Sequence, residues 1–251
     1  MSATEPLLVF DFDGVLVDGM PEYWWSARRA AQALDPLLEL PEQAPPGFSL
    51  LRPFIHKGWE MVLMAAELGR PGFDPHAAVA DYDAALAAAQ QRSGRSPAVL
   101  QEALERVRHE VLACDPDAWL ALHRFYPGVV ERLTALAAEG ADWCVLTTKG
   151  GAFAARLLEA AGLRPRAVHG HEQGSKPDVL LRLLSQERPL WFVEDRRPTL
   201  ELVRATPGLG SVRCYLALWG YLAPGDADGL APLGIRPLDS GMFRLPLASW
   251  S

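Results

Sequence analysis

Four short apolar runs separated by helical segments constrain this chain most, because three of them end in unusual sets of polar residues. Residues 7–11 run into Asp11-Phe12-Asp13-Gly14, residues 143–146 into Thr147-Thr148-Lys149-Gly150, and residues 189–193 into Glu194-Asp195; residues 212–218 are the fourth run. Short apolar runs bounded by turn residues read as buried strands. Residues 166–169 are a weaker candidate. Helical patterns cover residues 129–138, 153–161, 178–184 and 199–205. Strands alternating with helices imply a mostly parallel sheet covered on both faces. Ligands of such a sheet bind beyond the carboxyl ends of its strands, so the polar strand ends are expected to meet in one site.

Residues 19–125 break the alternation. They are rich in Ala, Leu, Glu, Gln and Arg and contain no convincing strand. The clearest helix is 97–114, with Ser96 as cap and Pro97 at the first helical position. Residues 22–34, 59–68 and 81–91 also read as helices, and residues 41–46 and 70–75 as the breakers between them. The tail from residue 223 reads as loop with a short edge strand near 242–245. The expected fold class is α/β: a Rossmann-like parallel sheet core, residues 1–18 and 126–251, with an inserted all-helical cap domain, residues 19–125.

Lys plus Arg is 24 and Asp plus Glu is 31 in 251 residues, a formal net charge of −7. No nucleic-acid partner is expected of so acidic a chain. A small anionic substrate remains compatible, because local cations override the net charge. The three cysteines, Cys114, Cys144 and Cys214, have no metal-binding spacing and read as reduced thiols. The N-terminal segment lacks the pattern of a signal peptide, and no apolar run approaches the roughly 20 residues of a membrane span. No membrane partner and a cytoplasmic location are the expectations.

Acids at adjacent strand ends repel one another unless a cation or shared proton neutralises them. Hard oxygen ligands of this kind suit Mg²⁺. Asp11 and Asp13 are spaced to point to opposite faces of a strand. Both can serve one site only if the strand ends near Phe12, and Gly14 permits that turn.

The pattern Asp11-Phe12-Asp13-Gly14-Val15-Leu16-Val17-Asp18 resembles the first motif of the haloacid dehalogenase (HAD) superfamily. Thr147 at a strand end looks like the second motif, Lys176-Pro177 in GSKPDVL the third, and Val193-Glu194-Asp195 the fourth in its β-phosphoglucomutase-like form. Tyr126-Pro127-Gly128-Val129 is similar to the segment by which that branch re-enters its core. The resemblance implies Asp11 as nucleophile and Asp13 as the acid that protonates the leaving oxygen and then activates water. Thr147 would bind a phosphoryl oxygen, and Lys176 would neutralise developing charge. Mg²⁺ would be held by Asp11, Glu194, Asp195 and the backbone carbonyl of Asp13. Because true dehalogenases lack the second acid, Asp13 points to phosphate chemistry. The sequence departs from the pattern at Arg196, where a small polar residue is usual, and at Thr199, where other branches carry an acid.

Each residue alone has an ordinary reading. Asp11 and Asp13 could form an Asx-type turn, Thr147 a helix cap, Lys176 a solvated loop lysine, and Glu194-Asp195 helix N-terminal acids. Their joint occurrence favours a site, with Gly14, Thr148 and Lys149 as further substrate-binding candidates. In the cap, Arg52, His56 and Lys57 are the best candidates for an anionic substrate tail, with Trp24, Trp25, Arg28 and Trp59 beside them. His169 and His171 read as structural. The expected activity is Mg²⁺-dependent hydrolysis of a small phosphorylated metabolite through an aspartyl-phosphate on Asp11. Alternatives are a phosphomutase, a phosphonate hydrolase using Lys57 as a Schiff-base lysine, and a catalytically silent binding protein.

Overall fold

The computed structural model describes residues 6–185 and 188–250. Its strands are β1 (Leu7–Phe10), β2 (Val17–Asp18), β3 (Arg124–Phe125), β4 (Asp142–Leu146), β5 (Val168–His169), β6 (Leu190–Glu194), β7 (Arg213–Ala217) and β8 (Ile235–Leu238). Six of them form one sheet in the order β5-β4-β1-β6-β7-β8, with every neighbouring pair parallel. Strands β2 and β3 make a separate antiparallel ribbon, with Val17 opposite Phe125 and Asp18 opposite Arg124.

Both faces of the sheet are buried, which is why its central strands read as unbroken apolar runs. On one face Leu7, Val9, Cys144, Leu146, Leu190, Phe192, Cys214 and Leu216 pack against the helices Lys176–Leu184 and Arg197–Ala205. The other face is aromatic. Phe10 lies edge-on to Trp143 and Phe243 at 6.3 and 6.1 Å, and Tyr215 meets Trp250 at 5.6 Å. The C-terminal segment that supplies Phe243 and Trp250 is pinned by polar bonds. Arg132 Nε donates to the Phe243 carbonyl at 3.0 Å, and its guanidinium pairs with Glu139. Glu139 in turn accepts the Leu247 N–H at 2.8 Å.

The sequence-based elements differ from the observed ones in several places. The edge strand is β8, not residues 242–245, which overlap the short helix Ser240–Phe243. Pro237 within β8 is tolerated because an edge strand has one unpaired side. Strand β3 falls where no strand was expected. Pro46 and Pro75 were read as breakers but open the helices Pro46–Leu51 and Pro75–Ala80; Pro116 opens a third, Pro116–Ala121. At the first helical turn proline removes no helical hydrogen bond.

The chain forms two compact units, one of Met1–Asp18 with Arg124–Ser251 and one of Gly19–His123. Among the described residues the second unit is helical. Its core includes Trp24, whose ring meets Phe48 at 5.0 Å and whose indole N–H points at the Pro41 and Glu42 carbonyls. Fully buried Glu22 receives Arg108 bidentately at 2.7 and 2.8 Å. Ser96 caps the helix Pro97–Cys114 by accepting the Val99 N–H. No described helix is long and apolar enough to cross a membrane.

Candidate active site

The apolar face that packs helix Lys176–Leu184 ends in carboxylates. Leu7 and Val9 lie on it, and the alternation of β1 carries through to Asp11, whose N–H still donates to the Val193 carbonyl at 2.9 Å. On β6 the same alternation takes Leu190 and Phe192 to Glu194, beside Asp11. Lys176, the first residue of the covering helix, reaches both. Its Nζ lies 2.8 Å from Asp11 Oδ1 and 2.6 Å from Glu194 Oε2. Ser175 caps that helix through the Asp178 N–H, which fixes where Lys176 starts. Asp195 is buried one residue on, with Oδ2 accepting the Tyr221 N–H at 2.8 Å.

Asp11, Glu194 and Asp195 each offer an oxygen within 4.8 Å of the others. Burial, followed by the charge of Glu194, raises the Asp11 carboxyl from 3.8 to about 7, against the opposing pull of Lys176. Glu194 is also raised, by burial first and Asp195 next, with Lys176 opposing. Burial works against the Lys176 ammonium, but Asp11 and Glu194 outweigh it and its pKa rises. Three buried carboxylates against one ammonium leave an excess of negative charge in a buried site. That donor set fits a hard divalent cation such as Mg²⁺.

The turn after β1 brings in the second acid. Gly14 has φ +89°, and a Cβ there would stand 1.9 Å from Asp195 Oδ2, so both conformation and space require glycine. The Leu16 and Val17 N–H groups close the turn on the Phe12 carbonyl at 2.9 and 3.0 Å. Asp13 then sits 3.1 Å from Lys149 Nζ. Lys149 is thus part of the site, mostly buried rather than a surface lysine. Thr147 is buried at the end of β4, and its Oγ1 accepts the Lys149 N–H at 3.0 Å. An oxygen that accepts there has its own hydrogen free to turn toward a ligand. Thr148 is exposed.

Arg196 donates its backbone N–H to Glu194 Oε1 at 3.1 Å, and Thr199 lies in the first turn of helix Arg197–Ala205. His169 is engaged by Gln173 at 2.6 Å, and His171 stands 3.6 Å from Glu172. Arg52, His56 and Lys57 belong to the helical unit. The Arg52 guanidinium lies 4.6 Å over the Tyr23 ring and donates to the Ile55 carbonyl, while the His56 and Lys57 side chains are exposed. Trp24 is core, whereas Trp25 is half-buried beneath the Arg29 guanidinium at 4.3 Å. Arg28 and Trp59 are half-buried.

Sequence reasoning missed the loop Trp219-Gly220-Tyr221, which follows β7 and touches Asp195. Its signal was available: it ends the fourth apolar run with a glycine between two aromatics, at the strand end to which no chemistry had been assigned.

The family model for haloacid dehalogenase-like hydrolases matches residues 6–196. The chain belongs to that family. This HAD-like hydrolase is 28% identical over 239 residues to the phosphoglycolate phosphatase of Pseudomonas putida, covering 90% of this chain and 74% of that one. Its fold is similar to that of a predicted phosphatase from Clostridium acetobutylicum, with TM-score 0.61 and 16% identity over 96% of this chain and 95% of that one. It is also similar to a HAD-superfamily hydrolase of subfamily IA from Geobacter sulfurreducens, with TM-score 0.53 and 16% identity over 86% and 88% of the two chains. The four stretches that resemble the superfamily's motifs supply Asp11, Thr147, Lys176 and Glu194-Asp195, each at a strand end or, for Lys176, at the helix start facing them.

Proposed function

We propose that this HAD-like hydrolase is a Mg²⁺-dependent phosphatase that transfers the phosphoryl group of a small phosphorylated metabolite to Asp11 and then to water. One observation carries the reading: Lys176 Nζ bridges Asp11 and Glu194 within a buried group of three carboxylates. Asp11 attacks phosphorus with a carboxylate oxygen, and Lys176 offsets the charge this brings into the site. Asp13 gives its proton to the leaving oxygen, then takes one from the water that cleaves the acyl phosphate. Lys149 positions Asp13 for both tasks, and the Thr147 hydroxyl donates to a phosphoryl oxygen. Asp11, Glu194 and Asp195, with the Asp13 carbonyl, would hold Mg²⁺, which supplies charge neutralisation for the phosphoryl oxygens.

The relative's name makes 2-phosphoglycolate the first substrate to try, and short phosphorylated hydroxy acids the class around it. Substrate selection is assigned to the helical unit, with Arg52, His56 and Lys57 as its anion-binding candidates. The test is phosphate release from a panel of phosphorylated metabolites with Mg²⁺ and with a chelator, for the unaltered protein and Asp11→Asn. Turnover that requires both the metal and Asp11 supports the reading. Full activity of Asp11→Asn would remove the nucleophile assignment.

A further inference from the structure

The loop Trp219-Gly220-Tyr221 is bonded to both parts of the acidic site. The Tyr221 N–H holds Asp195 Oδ2 at 2.8 Å, and its hydroxyl donates to Asp18 Oδ1 at 2.7 Å. Trp219 Nε1 donates to the Val15 carbonyl at 3.0 Å. Between them, a Cβ on Gly220 would stand 2.3 Å from Asp195 Cβ and 2.6 Å from the Gly14 carbonyl. The loop is therefore wedged between Asp195 and the turn that follows Asp11 and Asp13. It touches Gly14, Val15 and Asp18 on one side and Asp195 on the other.

We infer that Tyr221 is a positioning residue for the cation site: its hydroxyl, anchored on Asp18, aims its own N–H at Asp195. The inference rests on the reading that Asp11, Glu194 and Asp195 hold the cation. An N–H on one oxygen fixes the rotation of a carboxylate about its Cβ–Cγ bond. Removing it takes away one of the bonds that orient the buried Asp195, and a cation must then order more of the side chain as it binds. Groups that orient a metal ligand from behind commonly change metal affinity when removed. The Trp219 bond to Val15 holds the same loop from its other end, so the aim of the N–H depends on two side chains.

The test measures metal binding directly. Mn²⁺ is titrated into chelator-treated protein, with free ion read by electron paramagnetic resonance and Mg²⁺ by competition. Tyr221→Phe keeps the ring and removes only the hydroxyl. Its affinity for Mn²⁺ is expected to fall by about 10-fold, with the thermal midpoint unmoved. Trp219→Phe is expected to act in the same direction. Asp18→Asn keeps an oxygen acceptor and is expected to bind as the unaltered protein does, whereas Asp18→Ala should match Tyr221→Phe. Combining Asp18→Ala with Tyr221→Phe should add little to either alone. Unchanged Mn²⁺ affinity in Tyr221→Phe overturns the inference, as does a loss that merely follows a lowered thermal midpoint. If the unaltered protein binds no Mn²⁺ or Mg²⁺, the cation reading falls and this inference with it.

Discussion

At pH 8 the folded chain bears the cost of ionising Asp11, whose carboxyl burial and Glu194 raise from 3.8 to about 7. Between those values the folded state binds more protons than the unfolded one, so this residue's contribution to stability falls as pH rises through the window. Asparagine carries no such cost. Asp11→Asn is therefore expected to abolish turnover and yet to raise the thermal midpoint of the metal-free protein at pH 8. At pH 4, where the Asp11 carboxyl is protonated in the fold, the difference should shrink. Thermal scans in chelator at the two pH values check this; a lower midpoint for the variant at pH 8 would count against it. Destabilisation concentrated in functional sites is a common trade of stability for activity. The sequence singles out Asp11, Asp13 and the Glu194-Asp195 pair because acids at strand ends are unusual in themselves. It did not reveal that Lys149 pairs with Asp13, because a contact between residues so far apart in the chain is set by the register of β1 and β4.

Gly14 and Gly72 both have positive φ, +89° and +77°, but an added Cβ meets Asp195 at the first and nothing within 4 Å at the second. Gly72→Ala should therefore cost only the left-handed strain, about 1–2 kcal/mol. Gly14→Ala should cost more than that, because Asp195 must also move, and it should lose metal-dependent turnover. Denaturant unfolding of both variants beside phosphate release measures the contrast; equal stability losses with retained turnover would contradict the close packing. The long elements were legible for an equally local reason. Helix Pro97–Cys114 announces its start with Ser96 and Pro97, and the sheet strands announce their ends. Strand β8 was not legible, because Ile-Arg-Pro-Leu is short, half exposed and interrupted by proline. Pro46 and Pro75 read as breakers and not as helix starts because proline is both a breaker and a first-turn residue.

For the whole α/β unit, the clasp of Arg132 and Glu139 on the C-terminal segment ties its last residues to the aromatic face of the sheet. Hydrogen bonding from Arg132, opposed by burial and helped by the Leu247 N–H, holds the Glu139 carboxyl below its ordinary 4.5. A depressed carboxyl stabilises the fold above about 4.5, and that contribution is lost as pH falls through the lowered value. Glu139→Gln leaves buried Arg132 without its counter-charge and is expected to cost roughly 3 kcal/mol at pH 7. It should also flatten the acid limb of a plot of thermal midpoint against pH. An acid limb as steep as that of the unaltered protein would place the acid sensitivity elsewhere.

Strand β1 is the first to be synthesised, yet it lies between β4 and β6, with Leu7 opposite Asp142 on one side and Leu190 on the other. A ribosome adding 5–20 residues per second reaches β6 roughly 10–40 s after β1 has been made. The helices of Gly19–His123 find their packing partners within their own unit and can form in that interval. Leu7–Phe10 cannot pair until β4 is made, and it has one of its two partners until β6 follows. The nascent chain therefore carries an unpaired, β-prone apolar segment until β4 has been made.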